Sequence, residues 1–523
     1  MTNGVGSTEP SKSGGTGFAG AGPGTLRERP LRLGFVPANR GFFSTKLAAE
    51  MRDRTIEALE ALGVEVVVPQ PGQTEVGCVQ NLDEAIVAGR LMREADVDGI
   101  VVGAVNFGDE QSAAWAVREA RLDVPVFIYG CQEESVLSRK MSRRDSFCGL
   151  LSIGEALRQI GVKYSVGSRP ILFPSDPAFA DDMRWFIGVC RVVNGLRRAR
   201  YGQVGARPED FWTCRFDEKQ LQRLGATTVV LDLSEALAGA NAFADDDPDI
   251  LELITSIRGY ADVGSTSDTV LGKLARFELF LRRWAERNKL DALAIQCWTS
   301  IQANYGACSC LAMSRLGNEG IPAACEADIL GTLSMHALQL AGGTPAALAD
   351  WNNLHNEDDE LVNVWHCGVF PAVFTSQRPK IGVQEIIAGS GAAEYEDSIG
   401  TVEFVADPGA LTLSRVTQDP DGSWKAVIAE GALEDNPADT FGSYGWCRIP
   451  DLQGLYRDVL LRHFPHHVGI TKGHCGNVLW EAFGNYLGFQ VFHAGQTTPG
   501  LYTPVRPFTH EEASLPDAEL VAQ

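Results

Sequence analysis

Residues 31–68 read LRLGFVPANRGFFSTKLAAEMRDRTIEALEALGVEVVV. Within this run an apolar strand at 31–37 is followed by an amphipathic helix, which Ser44 caps and Gly63 ends. A strand rich in valine at 64–68 then follows, which is typical of a strand covered on both faces. This alternation of strand and helix predicts a doubly wound parallel sheet.

The same alternation continues along the chain. Two further strands at 99–105 and 125–130 enclose a helix at 111–120, and a second α/β run occupies residues 169–345. The strands predicted in the second run are 170–174, 228–233, 291–298 and 321–328. The helices predicted there are 182–200, 269–288, 303–316 and 330–340.

After about residue 344 the pattern changes to β-strands separated by Pro-Gly and Asp-Gly turns. The strands predicted there are 361–370, 401–405, 411–416 and 424–429. We therefore predict an α/β protein with two doubly wound parallel-sheet domains, followed by a mainly β, barrel-like C-terminal domain. The predicted boundaries are 1–30 for a disordered leader, 31–168 and 169–345 for the two α/β domains, and 346–523 for the C-terminal domain.

Composition excludes several classes of function. The 523 residues include 45 basic and 67 acidic side chains, for a formal net charge of −22. An acidic chain of this kind is poorly suited to nucleic acid, because phosphate contacts need clustered lysine and arginine. No apolar run approaches the ~20 residues that span a bilayer. We expect a soluble protein with no nucleic-acid or membrane partner.

The N-terminal 30 residues are rich in glycine, serine and threonine and have no apolar segment after a basic start. They are interpreted as a disordered leader rather than a secretory signal. The twelve cysteines contain no C-x-x-C pair. Without an export signal, this predicts a reducing, cytoplasmic location with free, mostly buried thiols.

Common catalytic motifs are absent from the sequence. There is no G-x-G-x-x-G after a strand, no Walker A loop, no H-E-x-x-H and no G-x-S-x-G. Dinucleotide oxidoreductases, P-loop enzymes and serine hydrolases are therefore disfavoured. Histidine is instead concentrated late in the chain, where six of the nine lie between residues 355 and 474.

Three acidic residues occupy positions at which a carboxylate could take part in catalysis or metal binding. Glu326 and Asp328 lie at the carboxyl end of the predicted strand at 321–328, at the edge of an α/β sheet where ligands bind. Asp328 has an ordinary explanation as the N-cap of the next helix, which we favour. Glu326 has no such local explanation, and burying it unpaired would be costly. Asp350 lies between the α/β and β regions, where its ordinary role would be a solvated loop acid.

Two carboxylates with one imidazole suit a hard-to-borderline divalent cation such as Mn²⁺. Such a site favours chemistry at a carbonyl, because the cation polarises the carbonyl while a carboxylate removes the adjacent proton. Spacing alone gives this constellation modest weight, because acidic residues usually lie at the surface.

Several motifs together resemble the L-fucose isomerase and L-arabinose isomerase superfamily, and more closely its fucose isomerase-like branch. The similarity covers about residues 31–505, in order. The motifs are NGLRRARYG at 194–202, GARP at 205–208, CRFDE at 214–218, CW at 297–298, CEAD at 325–328, ADW at 349–351, HCG at 366–368, PGALTLSR at 408–415, HH at 466–467 and GH at 473–474.

This resemblance implies an aldose–ketose isomerase that uses Mn²⁺, with Co²⁺ or Mg²⁺ as other candidates. It implies that Glu326 and Asp350 bind the metal and exchange protons with the sugar, and that His467 is the imidazole ligand. The C-terminal domain would complete the active site. The implied substrate contacts are Arg40, Gln296, Trp298, Gln302, His366, Cys367, His466 and His474, and for His474 a supporting role behind the site is equally favoured.

Arg40 also bears on the oligomeric state that the resemblance implies. In some family members the corresponding arginine reaches the substrate of a neighbouring subunit, and the family commonly forms trimers or hexamers. We therefore expect a homo-oligomer.

Two departures from the family pattern concern the wall of the pocket. Val369-Phe370 follows the HCG motif where small or polar residues are expected, and Thr299-Ser300 follows Cys297-Trp298 where Pro-Glu is common. They leave the metal chemistry intact and the identity of the sugar open. One alternative is a decarboxylase, epimerase or C–C cleaving enzyme that acts on a modified sugar or sugar acid through a similar enediolate. A non-catalytic sugar-binding protein is a further alternative, because two α/β domains also describe sugar receptors.

Overall fold

The structure is a computed structural model that describes residues 30–494. The predicted leader, except Pro30, and residues 495–523 of the predicted C-terminal domain lie outside the described residues. None of the helices in the described range is long and apolar enough to cross a membrane.

The first α/β region contains a five-stranded parallel sheet in the order β2-β1-β3-β4-β5. Its strands are β1 (Arg32–Ala38), β2 (Glu65–Val67), β3 (Gly99–Ala104), β4 (Val126–Cys131) and β5 (Ser165–Leu172). The helices of this region are α1 (Thr45–Glu60), α2 (Leu82–Glu94), α3 (Glu110–Ala120), α4 (Ser146–Gln159) and α5 (Pro177–Arg197). As expected, Ser44 caps α1 by accepting a hydrogen bond from the Leu47 amide.

The central region contains a four-stranded parallel sheet in the order β7-β6-β8-β9. Its strands are β6 (Arg200–Val204), β7 (Thr227–Leu231), β8 (Ala292–Ile295) and β9 (Ala323–Ala324). Its helices are α6 (Glu218–Leu224), α7 (Leu233–Asn241), α8 (Pro248–Tyr260), α9 (Asp268–Asn288), α10 (Ser300–Tyr305), α11 (Cys310–Asn318) and α12 (Ile329–Gly342).

The C-terminal region contains a nine-stranded sheet in the order β12-β13-β16-β11-β10-β17-β14-β15-β18. Its strands are β10 (Ala346–Leu354), β11 (Leu361–His366), β12 (Lys380–Val383), β13 (Ile399–Val405), β14 (Gly409–Gln418), β15 (Trp424–Glu434), β16 (Ser443–Arg448), β17 (His467–Lys472) and β18 (Gln490–Ala494). Its helices are α13 (Glu385–Ser390), α14 (Leu452–Leu461) and α15 (Gly476–Glu481).

An additional pairing between β15 and β16 closes part of this sheet into a six-stranded barrel. Every pairing around the ring β16-β11-β10-β17-β14-β15 is antiparallel. Closure leaves these six strands without a free edge. The expected fold class is confirmed: two parallel-sheet α/β regions are followed by a β-rich, barrel-like region.

Three local predictions were wrong. The strand predicted at 170–174 begins inside β5, which belongs to the first sheet. The helix predicted at 303–316 is two helices, because Gly306 ends α10 in a left-handed conformation. The strand predicted at 321–328 is reduced to the two residues of β9, and a turn follows it.

Helix α12 joins the central sheet to the barrel. It contacts β8 on one side and β10, β14 and β17 on the other. Its residues are apolar around almost the whole circumference, and all those from Ile329 to Leu340 are buried. A helix that is hydrophobic all round belongs in the interior, so α12 places the end of the central sheet against the barrel.

Candidate active site

The polar side chains that converge at this junction come from the central region and from the barrel. Glu326 precedes α12, Asp350 lies on β10, His366 ends β11 and His467 begins β17. Strand β10 lies between β11 and β17, and Asp350 is directly opposite His467. Directly opposite residues project on the same face of a sheet, so the barrel register itself places the carboxylate beside the imidazole.

An unusual turn aims Glu326 at the barrel. Glu326 has a φ of 61° and Ala327 a φ of 54°, both in the left-handed region. Non-glycine residues there cost roughly 1 kcal/mol each or more. The turn is held by the Ala327 amide, which donates to the Ile295 carbonyl, and by the Asp328 amide, which donates to the Cys325 carbonyl. We infer that the fold tolerates this strain to orient the Glu326 carboxylate.

Four ligand-type atoms meet in this buried space. His467 Nε2 is 3.2 Å from Glu326 Oε2 and 3.6 Å from Asp350 Oδ1. These three atoms and His366 Nε2 are buried and have no hydrogen-bond partner in the described part of the chain. Leaving buried polar atoms unpaired is costly. Glu326, His366 and His467 offer ligand atoms within 4.8 Å of one another, and so do Asp350, His466 and His467. Carboxylate oxygens together with an imidazole nitrogen suit a divalent cation such as Mn²⁺.

The side chains behind His467 determine which of its ring nitrogens faces this space. Its Nδ1 lies 2.8 Å from Asp328 Oδ2, and Asp328 also accepts hydrogen bonds from the Arg415 guanidinium and the Gly331 amide. Burial would raise the pKa of Asp328, but Arg415 and His467 lower it well below its usual range. Burial alone would lower the pKa of His467, but the neighbouring carboxylates raise it well above its usual range. In the neutral ring the ionised Asp328 holds the proton on Nδ1, so Nε2 is the nitrogen that can offer a lone pair to a cation between Glu326 and Asp350.

His366 is oriented differently. The Cys367 amide donates to His366 Nδ1 at 2.9 Å. Burial alone would lower the pKa of His366, but Cys367 and Asp350 raise it to about 9. Protonated or neutral, the ring carries a proton on Nε2, because the amide N–H occupies Nδ1 when the ring is neutral. His366 therefore offers an N–H donor to the site, which suits a substrate oxygen better than a metal ion.

The more exposed side of the site is lined by aromatic rings. His466 lies with its ring centre 4.4 Å from that of His467, and its Nε2 is 3.8 Å from Asp350 Oδ1. Phe211 lies between His466 and Trp298, with centre-to-centre distances of 6.4 and 5.9 Å. Burial and the neighbouring His467 lower the pKa of His466 to about 4. A neutral ring at the mouth of the site is suited to contacting an uncharged sugar hydroxyl.

Two protein-family models match this chain, one towards each end of the described residues. Residues 34–197 match the model for the fucose/sulfoquinovose isomerase N-terminal domain, and residues 364–494 match the model for the L-fucose isomerase C-terminal domain. The chain belongs to the fucose isomerase family. The resemblance inferred from the motifs is therefore confirmed. This membership also supports the predicted class of enzyme, a sugar isomerase of carbohydrate metabolism.

Curated relatives carry a more specific name. Sulfoquinovose isomerase of Priestia aryabhattai is 26% identical over 406 residues, which are 76% of this chain and 85% of that protein. Sulfoquinovose isomerase of Alkalicoccus urumqiensis is 28% identical over 344 residues, 65% of this chain and 73% of that protein. A periplasmic solute-binding protein of Actinobacillus succinogenes 130z with bound D-allose covers 60% of this chain and 93% of its own, at 10% identity and a TM-score of 0.16. That likeness is too weak to bear on the fold or function of this family member.

Two of the predicted substrate contacts, Gln296 and Gln302, lie in the central region. Gln296 accepts a hydrogen bond from the Ala206 amide at 2.9 Å, which ties it to the GARP motif. Gln302 is buried and donates to Cys308 Sγ at 3.3 Å, while its Oε1 has no partner in the described chain. Neither has a described contact with the four converging side chains. Their role toward substrate stays a prediction.

Arg40 and His474 are also not brought to the cluster in this chain. The Arg40 guanidinium donates to the Gly108 carbonyl, pairs with Glu110 and lies over the Phe107 ring, all in the first region. His474 Nε2 lies 3.0 Å from the Gly431 carbonyl on β15. Cys367, in contrast, lies directly behind the site, with its Sγ 3.2 Å from His366 Nδ1.

Sequence reasoning missed the supporting residues. It assigned Asp328 only to capping α12, which it does through the Gly331 amide, and not to orienting His467. It overlooked Arg415, Phe211 and Cys214, whose Sγ lies 4.0 Å from His467 Nδ1. One signal was available: an arginine within an apolar strand has to be paired when it is buried, and Arg415 is fully buried.

Proposed function

We propose that this protein is a metal-dependent aldose–ketose isomerase that acts on an open-chain sugar through a cis-enediol(ate) intermediate. The observation that carries the proposal is the convergence of Glu326 Oε2, Asp350 Oδ1 and His467 Nε2 without hydrogen-bond partners in the described chain. These three residues would hold a Mn²⁺ ion, whose positive charge would stabilise a developing enediolate. Co²⁺ and Mg²⁺ are the other candidate ions.

The roles of the side chains follow from their atoms. Glu326 and Asp350 flank the C1–C2 bond, and one removes the proton that the other returns. The His366 Nε2–H donates to a sugar oxygen and stabilises the negative charge that develops there. With a metal ion on its Nε2, His467 would move no proton, because its remaining N–H faces Asp328 on the far side of the ring. Trp298, Phe211 and His466 form the wall along which the rest of the sugar chain lies.

For the substrate we propose sulfoquinovose, a hexose with a sulfonate group. The support is the name of the curated relatives, which match this chain over most of its length and theirs. In the sequence, the departures at Thr299-Ser300 and Val369-Phe370 come shortly after the site residues Trp298 and His366. We propose that they adapt the pocket wall to this substituted sugar.

We further propose a cytoplasmic homo-oligomer whose third domain, from residue 346, completes the active site. Asp350, His366 and His467 all belong to that part of the chain. Support for an oligomer comes from the surface around Arg40, which exposes large apolar side chains: Phe42, Val136, Leu137, Met141 and Phe147. Clustered apolar exposure of this kind marks an interaction surface, and a second copy of the chain is the simplest partner.

The function is tested on the full chain after chelation. The protein is treated with a chelator, Mn²⁺ is restored, and solvent deuterium incorporation is followed by NMR in sulfoquinovose, 6-deoxyhexoses, pentoses and sugar acids. We expect metal-dependent exchange at C2 of sulfoquinovose together with formation of its ketose. Exchange in another sugar would correct the substrate, and metal binding without any ketose would favour the decarboxylase, epimerase or C–C cleaving alternative. Failure to bind metal would overturn the proposed site and leave the sugar-binding alternative.

A further inference from the structure

Two buried thiols lie in contact directly behind the candidate active site. Cys297 follows β8 and Cys325 follows β9, and their Sγ atoms are 2.7 Å apart. A disulfide bond is about 2.05 Å long, so the two sulfur atoms need to move less than an ångström to become bonded. Cys325 is fully buried and Cys297 is 3% exposed. Neither thiol has a role in the proposed isomerase mechanism.

This pair is linked directly to the metal-binding carboxylate. One carboxylate oxygen of Glu326 and the two sulfur atoms lie within 4.8 Å of one another. Cys325 also precedes Glu326 in the chain, and Cys297 precedes Trp298. The thiols therefore lie on the Glu326 side of the sugar site, and a water-sized oxidant would have to approach them through that site, because neither thiol is exposed at the protein surface.

We propose that Cys297 and Cys325 form a redox-active dithiol whose oxidation to a disulfide inactivates the site. With hydrogen peroxide, one thiol is oxidised to a sulfenic acid and one water is released. The second thiol then displaces a second water from the sulfenic acid and forms the S–S bond. Overall, two thiols and one peroxide give one disulfide and two waters, and a dithiol reductant reverses the change by exchange.

The expected loss of activity follows from the geometry of the turn after Cys325. A disulfide requires a Cβ–S–S–Cβ dihedral of roughly ±90°, which the Cys325 backbone has to accommodate. Glu326 and Ala327 are held in left-handed conformations, so a shift at Cys325 is transmitted to the Glu326 carboxylate. Catalytic and metal-binding groups have to be held within about 0.5 Å. The disulfide therefore displaces the carboxylate from Asp350 and His467.

A second thiol pair provides a comparison within the same cluster. Cys310 Sγ and Cys367 Sγ are 3.9 Å apart, which is a greater separation than in the proposed pair. Cys148 has to be removed from the experiment, because it is the exposed one of the twelve cysteines and would form disulfides between molecules. The experiment therefore uses full-length protein carrying Cys148→Ser as its reference.

The test is to treat this Mn²⁺-loaded protein with hydrogen peroxide, alkylate the remaining thiols and map disulfides by mass spectrometry. Chymotrypsin is required, because trypsin leaves Cys297 with Cys310 and Cys325 with Cys367 on shared peptides. We expect a 297–325 cross-link, the loss of two thiols, and at least a tenfold fall in activity that dithiothreitol restores. Cys297→Ser should keep more than half of its activity under the same treatment, whereas Cys447→Ser, a buried thiol of β16, should lose activity as the reference does.

The inactivation half of this inference rests on the proposed isomerase function, but the cross-link does not. Mapping the peptides and measuring Mn²⁺ affinity before and after oxidation decide it even if no sugar is isomerised. A 310–367 cross-link in place of 297–325, or no cross-link at all, would overturn it. Equal inactivation of Cys297→Ser and the reference would also overturn it. If Cys297→Ser does not fold, Cys297→Ala and the mapping of the reference protein replace it.

Discussion

His467 and His366 show how the groups behind an imidazole determine what it does. Both rings are buried and face the same carboxylates, but an ionised Asp328 lies behind His467 and a backbone amide lies behind His366. The acceptor fixes a proton on the remote nitrogen of His467 and leaves a lone pair toward the site. The donor has the opposite effect on His366, so one ring is oriented to bind a cation and the other to bind an oxygen.

Replacing each histidine with glutamine in turn tests whether one ring binds the metal and the other binds the sugar. We expect His467→Gln to lower Mn²⁺ affinity by at least 100-fold, because a ligand is lost. His366→Gln should change Mn²⁺ affinity by less than about threefold and lower kcat/KM by about 10–100-fold, the effect of one lost charge-assisted hydrogen bond. Manganese EPR titration and steady-state kinetics measure the two quantities. A large loss of metal affinity in His366→Gln would show that this ring is a ligand instead.

The carboxylate behind His467 leads to a second prediction. Asp328→Asn should lower Mn²⁺ affinity by 10–100-fold, as expected for loss of a carboxylate behind a metal-bound histidine. It should also destabilise the fold by about 3–5 kcal/mol, because Arg415 would be left buried without its counter-charge. The measurements are metal titration and thermal unfolding.

The matched control is Asp358→Asn. Asp358 also pairs with an arginine, Arg448, at 2.8 Å, but both side chains are about one-third exposed. This substitution should leave metal affinity unchanged and cost at most about 1 kcal/mol. Equal effects of the two substitutions would contradict the orienting role of Asp328.

At the scale of residues, the sequence allowed part of this site to be anticipated. Glu326 was notable because it had no local explanation, and His467 because of the family motif. Position and spacing alone do not distinguish Asp350 from a loop acid; the family motif at 349–351 singles it out, and the barrel register places it opposite His467. The role of Asp328 was hidden because one carboxylate both caps α12 and holds the imidazole.

At the scale of elements, apolar patterns predicted the strands and helices better than their ends. The left-handed turn at Glu326 and Ala327 shortens the expected strand to two residues. Sequence gives no sign of such a turn, because left-handed backbone is normally indicated by glycine or asparagine. Barrel closure was equally hidden: it depends on the long-range pairing of β15 with β16 and not on the composition of either strand.

Helix α15 leads to a prediction about pH. Glu481 is buried and accepts hydrogen bonds from Ser165 on β5 and from Asn485. Burial, which outweighs these hydrogen bonds, raises the pKa of Glu481 to about 7, above the roughly 4.3 of an unfolded chain. A raised folded pKa means that this group stabilises the fold fully below about pH 4.3. That contribution, about 4 kcal/mol, is lost as the pH rises toward 7.

Glu481→Gln isolates this effect, because glutamine keeps the acceptor oxygen and does not ionise. We expect the variant to have the same melting temperature as the wild type near pH 4.5 and a higher one at pH 8. The measured quantity is the difference between the two proteins at each pH, which cancels the other titrating groups. A constant difference from pH 4.5 to pH 8 would show that Glu481 is already ionised in the folded protein.

At the scale of the whole molecule, the candidate site is divided between parts of the chain that are distant in sequence. Glu326 comes from the central region and Asp350 and His467 from the barrel, and α12 packs against both. Arg40 is bound to its own first region through Gly108 and Glu110. We therefore propose that any contribution of Arg40 to the cluster is made in a second copy of the chain.

Mixing two inactive variants tests whether Arg40 acts across a subunit interface. Arg40→Ala removes the guanidinium, and Glu326→Gln removes the metal-binding carboxylate, so we expect each homo-oligomer to lose activity by at least 100-fold. After joint unfolding and refolding in equal amounts, about a quarter of the sites should combine an intact Glu326 with an intact Arg40 of the partner subunit. Activity should therefore return to about a quarter of the wild-type value. If Arg40 served its own subunit, every site would carry one defect and the mixture would stay inactive.

Leu137→Glu, in the exposed apolar surface near Arg40, should lower both the sedimentation coefficient and the activity. Leu460→Glu, on α14 and also largely exposed, should change neither, because it lies in the C-terminal region and not on the proposed interface.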